Sequence, residues 1–376
     1  IIVPLERVCI YIPGGKALYP STIIMNVIPA QIAGVKEIYI TTPVKNNKNV
    51  EDEILTTLYL LGITSLYKIG GAHSIAAFAY GTESIPAVDK ICGPGNIYVA
   101  IAKKIVYGDV DIDMIAGPTE IVIIADDKAN PEFIALDLLA QAEHDEMASP
   151  VLITISKKIA TRTQNCIKKL LKKYKNTIAE ASINNNGIAI IIDKIEQAIE
   201  IANKIAPEHL ELMVENPFDY LPLIKNAGSV FLGEYTPESA GDYIAGPNHT
   251  LPTMGTARFH SQLGVYSFVK RMSVTYLSKE KLKTLQKDLE EIRKKEQRLK
   301  EIEDEIKNLD IDIQAYKILE DKVFAPGALP ARLLEKYIQV LQYYTNEYLK
   351  LFGQPIEVRF IFKQRGDTQT VDLKIY

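Results

Sequence analysis

Short β-branched runs that stop at glycine–proline turns and give way to helical stretches limit the fold of this chain more than any other feature. Val8-Cys9-Ile10-Tyr11-Ile12 ends at Pro13-Gly14-Gly15, and Val88-Asp89-Lys90-Ile91-Cys92 ends at Gly93-Pro94-Gly95-Asn96 with a helix after it. Glu37 to Thr41 and Ser65 to Ile69 are further strands, with a helix from Asn49 to Leu61 between them. The pattern resumes with Glu120 to Ala125, a helix after Asn130-Pro131, then Val151 to Ile155 and Ala189 to Ile192. Strands separated by helices are joined by crossovers rather than hairpins, which makes the sheets parallel and covers both faces. The fold class is therefore α/β, with two Rossmann-like parallel-sheet units divided near residues 118 and 119.

The character of the chain changes after residue 278. Of the 29 residues from Lys279 to Lys307, 19 are charged. Leu282, Leu285, Leu289, Ile292, Glu296 and Leu299 step by three and four, and after one extra three-residue step Ile302, Ile306, Leu309, Ile313 and Tyr316 resume the alternation. That is a heptad seam with one stammer, so 279–320 reads as a coiled-coil strand. A single long solvated helix is the alternative. Residues 321–376 form a small α+β tail, with a helix from about Ala331 to Phe352. The strands Ile356 to Phe362 and Thr370 to Tyr376 follow, with a hairpin turn across Lys363-Gln364-Arg365-Gly366-Asp367.

With 376 residues the chain exceeds one hydrophobic core and suits two or three domains. A net charge of −4 leaves no nucleic-acid footprint, and no apolar run reaches the roughly 20 residues of a membrane span. Cys9, Cys92 and Cys166 lack CxxC spacing and read as reduced thiols of a cytoplasmic protein. No secretory signal precedes them. The chain opens on Ile1-Ile2-Val3-Pro4 without an initiator Met, as though cut from something longer.

Five histidines occur, and three have polar or acidic company. Gln141 and His144 are three apart at the end of a helix, share one face and could reach one ion, although such pairs also arise on solvated helices. Glu208 and His209 are adjacent, so both serve one site only if the backbone turns there, and Pro207 makes that break plausible. Asp242 and His249 lie in a segment bracketed by glycines and a proline, a shaped loop of the kind where functional side chains gather. His260 has no such company and reads as structural. The turns at Pro13-Gly14-Gly15-Lys16 and Gly93-Pro94-Gly95-Asn96 could present backbone N–H groups to a pyrophosphate. Neither matches G-x-G-x-x-G or a P-loop, so a plain tight turn explains each equally well.

Taken in order, these segments resemble one family. Tyr11-Ile12-Pro13-Gly14-Gly15, Gly70-Gly71-Ala72, Gly93-Pro94-Gly95-Asn96, Ile115-Ala116-Gly117-Pro118, Leu139-Ala140-Gln141-Ala142-Glu143-His144, Ala206-Pro207-Glu208-His209-Leu210, Gly241-Asp242 and Gly246-Pro247-Asn248-His249 resemble the motif series of histidinol dehydrogenases. The resemblance implies an NAD- and zinc-dependent oxidation of L-histidinol to L-histidine through histidinal, in histidine biosynthesis. It assigns 12–118 to an NAD-binding domain, and 1–11 with 119–278 to a substrate and metal domain. Gln141, His144 and Asp242 resemble zinc ligands, His209 the general base and Glu208 the group that activates water. Thr119, Gln141, His144, His209, Asp242 and His249 resemble substrate contacts, and Tyr11, His73 and Asn96 resemble NAD contacts. Thr119 stands where the family has Ser, and His73 where it has Gln. The expected partners are histidinol and a second copy of the chain; a membrane and nucleic acid are not expected.

The family's opening hundred-odd residues are absent, as is its C-terminal segment, which carries a fourth zinc ligand and a substrate-binding Glu. That predicts weak turnover despite Glu208 and His209. The remaining residues, about 285 to 376, resemble the C-terminal lobe of SMC/SbcC-type ATPases, which implies an interaction module joined near Tyr276 to Leu285. The tail has no nucleotide motif of its own. Finally, the strand-end turns predict that Tyr11 and Asn96 lie at the carboxyl edge of one parallel sheet.

Overall fold

The structure, a computed structural model, describes residues 1–14, 19–44, 49–322, 331–353, 356–365 and 368–376. Gly15 and Lys16 of the first turn, the turn residues Gly366 and Asp367, and residues 325–330 of the tail lie outside them. The chain opens on a short strand, β1 (Ile2–Pro4), and runs through β2 (Arg7–Tyr11), α1 (Pro20–Ala33), β3 (Glu37–Thr41), α2 (Asp52–Leu60), β4 (Leu66–Tyr67), α3 (Gly71–Tyr80), β5 (Lys90–Cys92), α4 (Ile97–Val106) and β6 (Asp111–Ile112). A second round follows: β7 (Glu120–Ala125), α5 (Pro131–Ala142), β8 (Ser149–Thr154), α6 (Lys157–Tyr174), α7 (Thr177–Asn186), β9 (Ile188–Ile191), α8 (Ile195–Ile205), β10 (His209–Met213), α9 (Pro217–Tyr220), β11 (Ser229–Leu232), α10 (Glu238–Tyr243) and β12 (Val269–Arg271).

Two five-stranded sheets result, in the orders β4-β3-β2-β5-β6 and β9-β8-β7-β10-β11, and every pairing within them is parallel. Both are doubly wound: the chain leaves the middle strand in one direction, then returns to its other side. Strand pleating explains the layers. Val8 and Ile10 of β2 enter one core with α1 and α2, while Cys9 and Tyr11 enter the opposite core with α3 and α4. Likewise Val122 and Ile124 of β7 pack toward α8, and Ile121, Ile123 and Ala125 toward α5. Apolar burial on both faces is why these strands read as unbroken hydrophobic runs.

Three strands of the two five-stranded sheets escaped the sequence reading, as did the short β1 and β12. β6 has two residues, β11 four, and β10 (His-Leu-Glu-Leu-Met) carries two ionisable side chains in a strand buried along its length. Arg7–Tyr11 is the middle strand of the first sheet, so that unit begins before residue 12 and residues 7–11 do not belong to the second. β1 reaches across, pairing antiparallel with β12. Leu263 and Phe268 join the core of the first sheet, which binds the two rounds into one body, 1–274.

At the carboxyl end of β7 the backbone turns back on a single side chain. Asp126 accepts N–H groups from Lys128 at 2.9 Å, Ala129 at 3.2 Å and Glu215 at 2.7 Å.

The second unit, 275–376, holds α11 (Lys279–Lys322), α12 (Ala331–Leu351) and the antiparallel pair β13 (Val358–Arg365) and β14 (Thr368–Ile375). Most heptad residues of α11 are exposed, Leu289 at 49% and Leu299 at 59% among them, while Leu309 is half-buried. Asn346 of α12 holds β13, donating to Val358 O at 2.9 Å and accepting its N–H at 2.7 Å.

Gly93 sits where β2 and β5 end side by side. Its φ is +103°, and a Cβ there would fall 2.1 Å from Tyr11 O. Gly93→Ala is expected to lower the unfolding free energy by about 3 kcal/mol, the upper end of a strained backbone position. Urea unfolding of the two proteins measures this; a loss below about 1 kcal/mol would mean that the turn yields more easily than its contacts indicate.

Candidate active site

A cluster of ionisable side chains surrounds a cavity of about 330 Å³ between the carboxyl edge of the first sheet and the amino edge of the second. Pro13, Pro94, Gly95 and Asp113 line it on one side, and Thr119, Gln141, Glu208, His209, Glu238 and Asp242 on the other. His144 and His249 complete its rim. No lysine or arginine among the described residues lines it.

Local backbone geometry explains how neighbours Glu208 and His209 both reach this space. Helix α8 ends on Ala206 in the left-handed region, φ +52°, and Pro207 follows. The chain therefore swings before β10 begins, with Glu208 just ahead of the strand and His209 as its first residue. Gly228 allows the close approach that this turn needs, since a Cβ there would meet Glu208 O at 2.6 Å. His209 Nδ1 lies 4.0 Å from Glu208 Oε2, and Nε2 lies 3.5 Å from Glu238 Oε1.

Thr119, just before β7, donates its hydroxyl to Glu208 and accepts from the Gln141 amide at the end of α5. That pairing uses the amide nitrogen and leaves Gln141 Oε1 buried without a partner. Asp242 Oδ1 is 3.9 Å from His249 Nδ1, and Asp242 lies one helical turn after Glu238 on α10. Donor atoms of His209, Glu238 and Asp242 fall within 4.8 Å of one another. The partnerless Gln141 oxygen, an imidazole at the rim and the Asp242 carboxylate are N and O donors of the kind zinc accepts, so the residues fit a divalent metal.

Burial dominates the electrostatics. It pushes Glu208 up to about 8, against the stabilising hydrogen bond from Thr119. It lowers His209 to about 3, with His144 adding to the effect. Glu238 is raised to about 8 by burial and by Asp242. Asp242 is raised by burial against the fields of His249 and His144. Behind Glu238, Glu211 accepts its backbone N–H at 2.9 Å and shares a hydrogen bond with Asp137 of α5.

Of the residues expected to touch a nucleotide, Tyr11 ends β2 and Asn96 follows β5, so both sit at the carboxyl edge of the first sheet. The Tyr11 hydroxyl accepts the Gly71 N–H at 3.1 Å, and Asn96 caps α4 by accepting from Tyr98 and Val99. His73 is exposed in the first turn of α3 and does not line the cavity. His260 lies outside it as well, against Phe259. Sequence reasoning missed Glu238, Glu211 and Asp113. For Glu238 the signal was available: it stands four residues before Asp242, on the same helical face.

Two doubly wound sheets that close a cleft over an imidazole, carboxylates and a glycine-lined turn have the architecture of a dehydrogenase. The histidinol dehydrogenase family profile matches residues 1–305, and the chain belongs to that family. It is 54% identical over 294 residues to histidinol dehydrogenase of Lactococcus lactis, covering 78% of this chain and 68% of that protein. Identity to the Listeria monocytogenes protein is 57% over 283 residues, or 75% of this chain and 66% of that one. The crystal structure of histidinol dehydrogenase from Elizabethkingia anophelis superposes with a TM-score of 0.74 at 43% identity, over 79% of this chain and 69% of that one. The chain thus spans about two thirds of its relatives' length. The family match continues through the start of α11 to residue 305, so it does not stop where the composition changes, as the sequence reading expected.

The raised Glu208 carboxyl makes stability depend on pH. Above its ordinary value of 4.5 the unfolded chain releases this proton while the folded chain keeps it up to about 8. The stability it contributes is complete below about pH 4.5 and declines as pH rises through 8. Glu208→Gln removes this decline, so in metal-free buffer the variant's advantage should grow from pH 5 to 8. Urea unfolding across that range tests it, and an advantage independent of pH would contradict the buried-carboxyl assignment.

Proposed function

We propose that this chain oxidises L-histidinol with NAD as hydride acceptor, first to histidinal and then, with a second NAD, to L-histidine, in histidine biosynthesis. The observation that carries this reading is the buried Glu208–His209 pair facing the Gly93–Asn96 turn across one cavity. A cavity rich in carboxyls, and lined by no lysine or arginine among the described residues, suits a substrate that carries an ammonium group and an imidazole.

Burial keeps the His209 imidazole neutral and thus able to accept the hydroxyl proton as hydride leaves the carbinol carbon. Two carboxyls flank it, Glu208 and Glu238, and ionisation of either raises its affinity for that proton. Glu208, once deprotonated, is placed to take a proton from water attacking the aldehyde. Thr119 and Gln141 fix the orientation of that carboxylate. The second hydride then leaves the hydrated carbon, and the acid is the product.

Gln141, His144 and Asp242 would hold zinc, which supplies a Lewis acid that anchors the substrate's nitrogens and polarises its carbinol. Asp242 and His249 stand where they can hold the same substrate. Tyr11, His73 and Asn96 are the proposed NAD contacts on the first sheet. The proposed setting is the cytoplasm, and the proposed assembly a homodimer. For the tail, the exposed seam of α11 is compatible with a coiled-coil interaction module like the C-terminal lobe of SMC/SbcC-type ATPases, a reading that rests on the sequence pattern. No helix among the described residues is long and apolar enough to cross a membrane.

The decisive measurement is NADH formation from L-histidinol with zinc present. His209→Asn should lower the rate by about 10²–10⁴-fold, the usual worth of a general base, with NADH affinity unchanged. Equal rates for the two proteins would remove His209 from the chemistry. A chelator should abolish the residual turnover of the unmodified chain if the metal reading holds.

A further inference from the structure

The turn that follows β5 is gripped from behind by two buried opposite charges. Lys103 on α4 is 2% exposed, and the Asp113 side chain 1%. Lys103 Nζ donates to Asp113 Oδ1 and, at 3.0 Å, to Gly93 O. Asp113 Oδ2 accepts the Gly93 N–H at 2.6 Å, and Oδ1 accepts the Met114 N–H at 2.6 Å. Both backbone groups of Gly93 are therefore held by the two ends of one ion pair.

Stability alone does not require this arrangement. Removing two charges from water is expensive, and an apolar pair of similar volume commonly serves a fold as well or better. What an apolar pair cannot do is donate to Gly93 O and accept from Gly93 N at once. The ion pair thus supplies direction. It fixes the peptide planes on either side of Gly93, and with them Pro94 and Gly95, which line the cavity, and Asn96, which starts α4. Asp113 itself reaches the cavity wall.

We propose that Lys103 and Asp113 are positioning residues for the dinucleotide. They hold the Gly93–Asn96 turn in the one shape that accepts the cofactor's pyrophosphate and nicotinamide end. This rests on reading the carboxyl edge of the first sheet as the NAD site.

The test uses the full chain and four variants, Lys103→Met, Asp113→Asn, the apolar pair Lys103→Met/Asp113→Leu and the neutral polar pair Lys103→Gln/Asp113→Asn. NADH affinity is read by fluorescence, zinc affinity by competition with a chromogenic chelator, and stability by urea unfolding. Each single variant leaves one buried charge unpaired and should be destabilised. The apolar pair leaves no unpaired charge, only the Gly93 and Met114 backbone groups without these partners. It should therefore be less destabilised than either single variant yet bind NADH about tenfold more weakly, the scale of a lost oriented hydrogen bond, with zinc affinity unchanged. Should the apolar pair fail to fold, Lys103→Met, which loses the donor to Gly93 O, carries the same comparison. The neutral polar pair, whose amides can still donate to Gly93 O and accept from Gly93 N, should keep NADH affinity near that of the unmodified chain. NADH affinity equal to that of the unmodified chain in the apolar pair, or in Lys103→Met where it stands in, overturns the inference. Parallel loss of NADH and zinc affinity also overturns it, because that is the mark of general loosening. An unmodified chain that binds no NADH fails the cofactor assignment itself, and the inference with it.

Discussion

Everything in the first 274 residues hangs on two strands, β2 and β7, that are covered on both faces. Because Val8 and Ile10 face one core while Cys9 and Tyr11 face the other, a slip of one residue would exchange the two sets. Register is therefore strongly fixed, and the places where each strand starts and stops are fixed with it. The cleft uses those places directly. It takes the carboxyl end of β2 from one sheet and the amino ends of β7 and β10 from the other.

That second choice departs from the usual rule for open α/β sheets, in which ligands bind at carboxyl ends. Here the first sheet follows the rule and the second inverts it. The inversion brings Glu208 and His209 into a confined space where Glu211 and Glu238 are almost fully buried. Burial raises Glu208 and Glu238 to about 8 and pushes Glu211 upward, while Asp137 rises only to about 6, so part of this acidic cluster retains protons at neutral pH. A site of this composition is stable when it carries protons or accepts a cation, and its chemistry is set by that alternation.

Much of the fold was legible in the sequence because apolar strands and their closing turns announce themselves. The reading failed where burial and polarity conflict. β10 was overlooked because His209 and Glu211 interrupt its hydrophobic run, and those are residues that the site needs inside. Gln141, His144, Asp242, Glu208 and His209 come to one cavity from the end of α5 and the turn after it, from α10, and from the start of β10 and the residue before it, a convergence that spacing along the chain does not disclose. Motif resemblance supplied it. Glu238, Glu211, Lys103 and Asp113 belong to no quoted motif, and their importance emerges only from what they touch. α11 is one long helix with much of its apolar seam exposed, a form that a coiled-coil strand and a single solvated helix share.

Asp126 shows how two similar halves acquire different duties. At the switch point of the second sheet, where the first offers an open glycine-lined turn, its carboxylate takes the N–H groups of Lys128, Ala129 and Glu215. Those amides are the donors that a phosphate would otherwise find there. In the second crevice those amides already have their acceptor, so the repeated topology leaves an open turn in one half and one filled from within in the other.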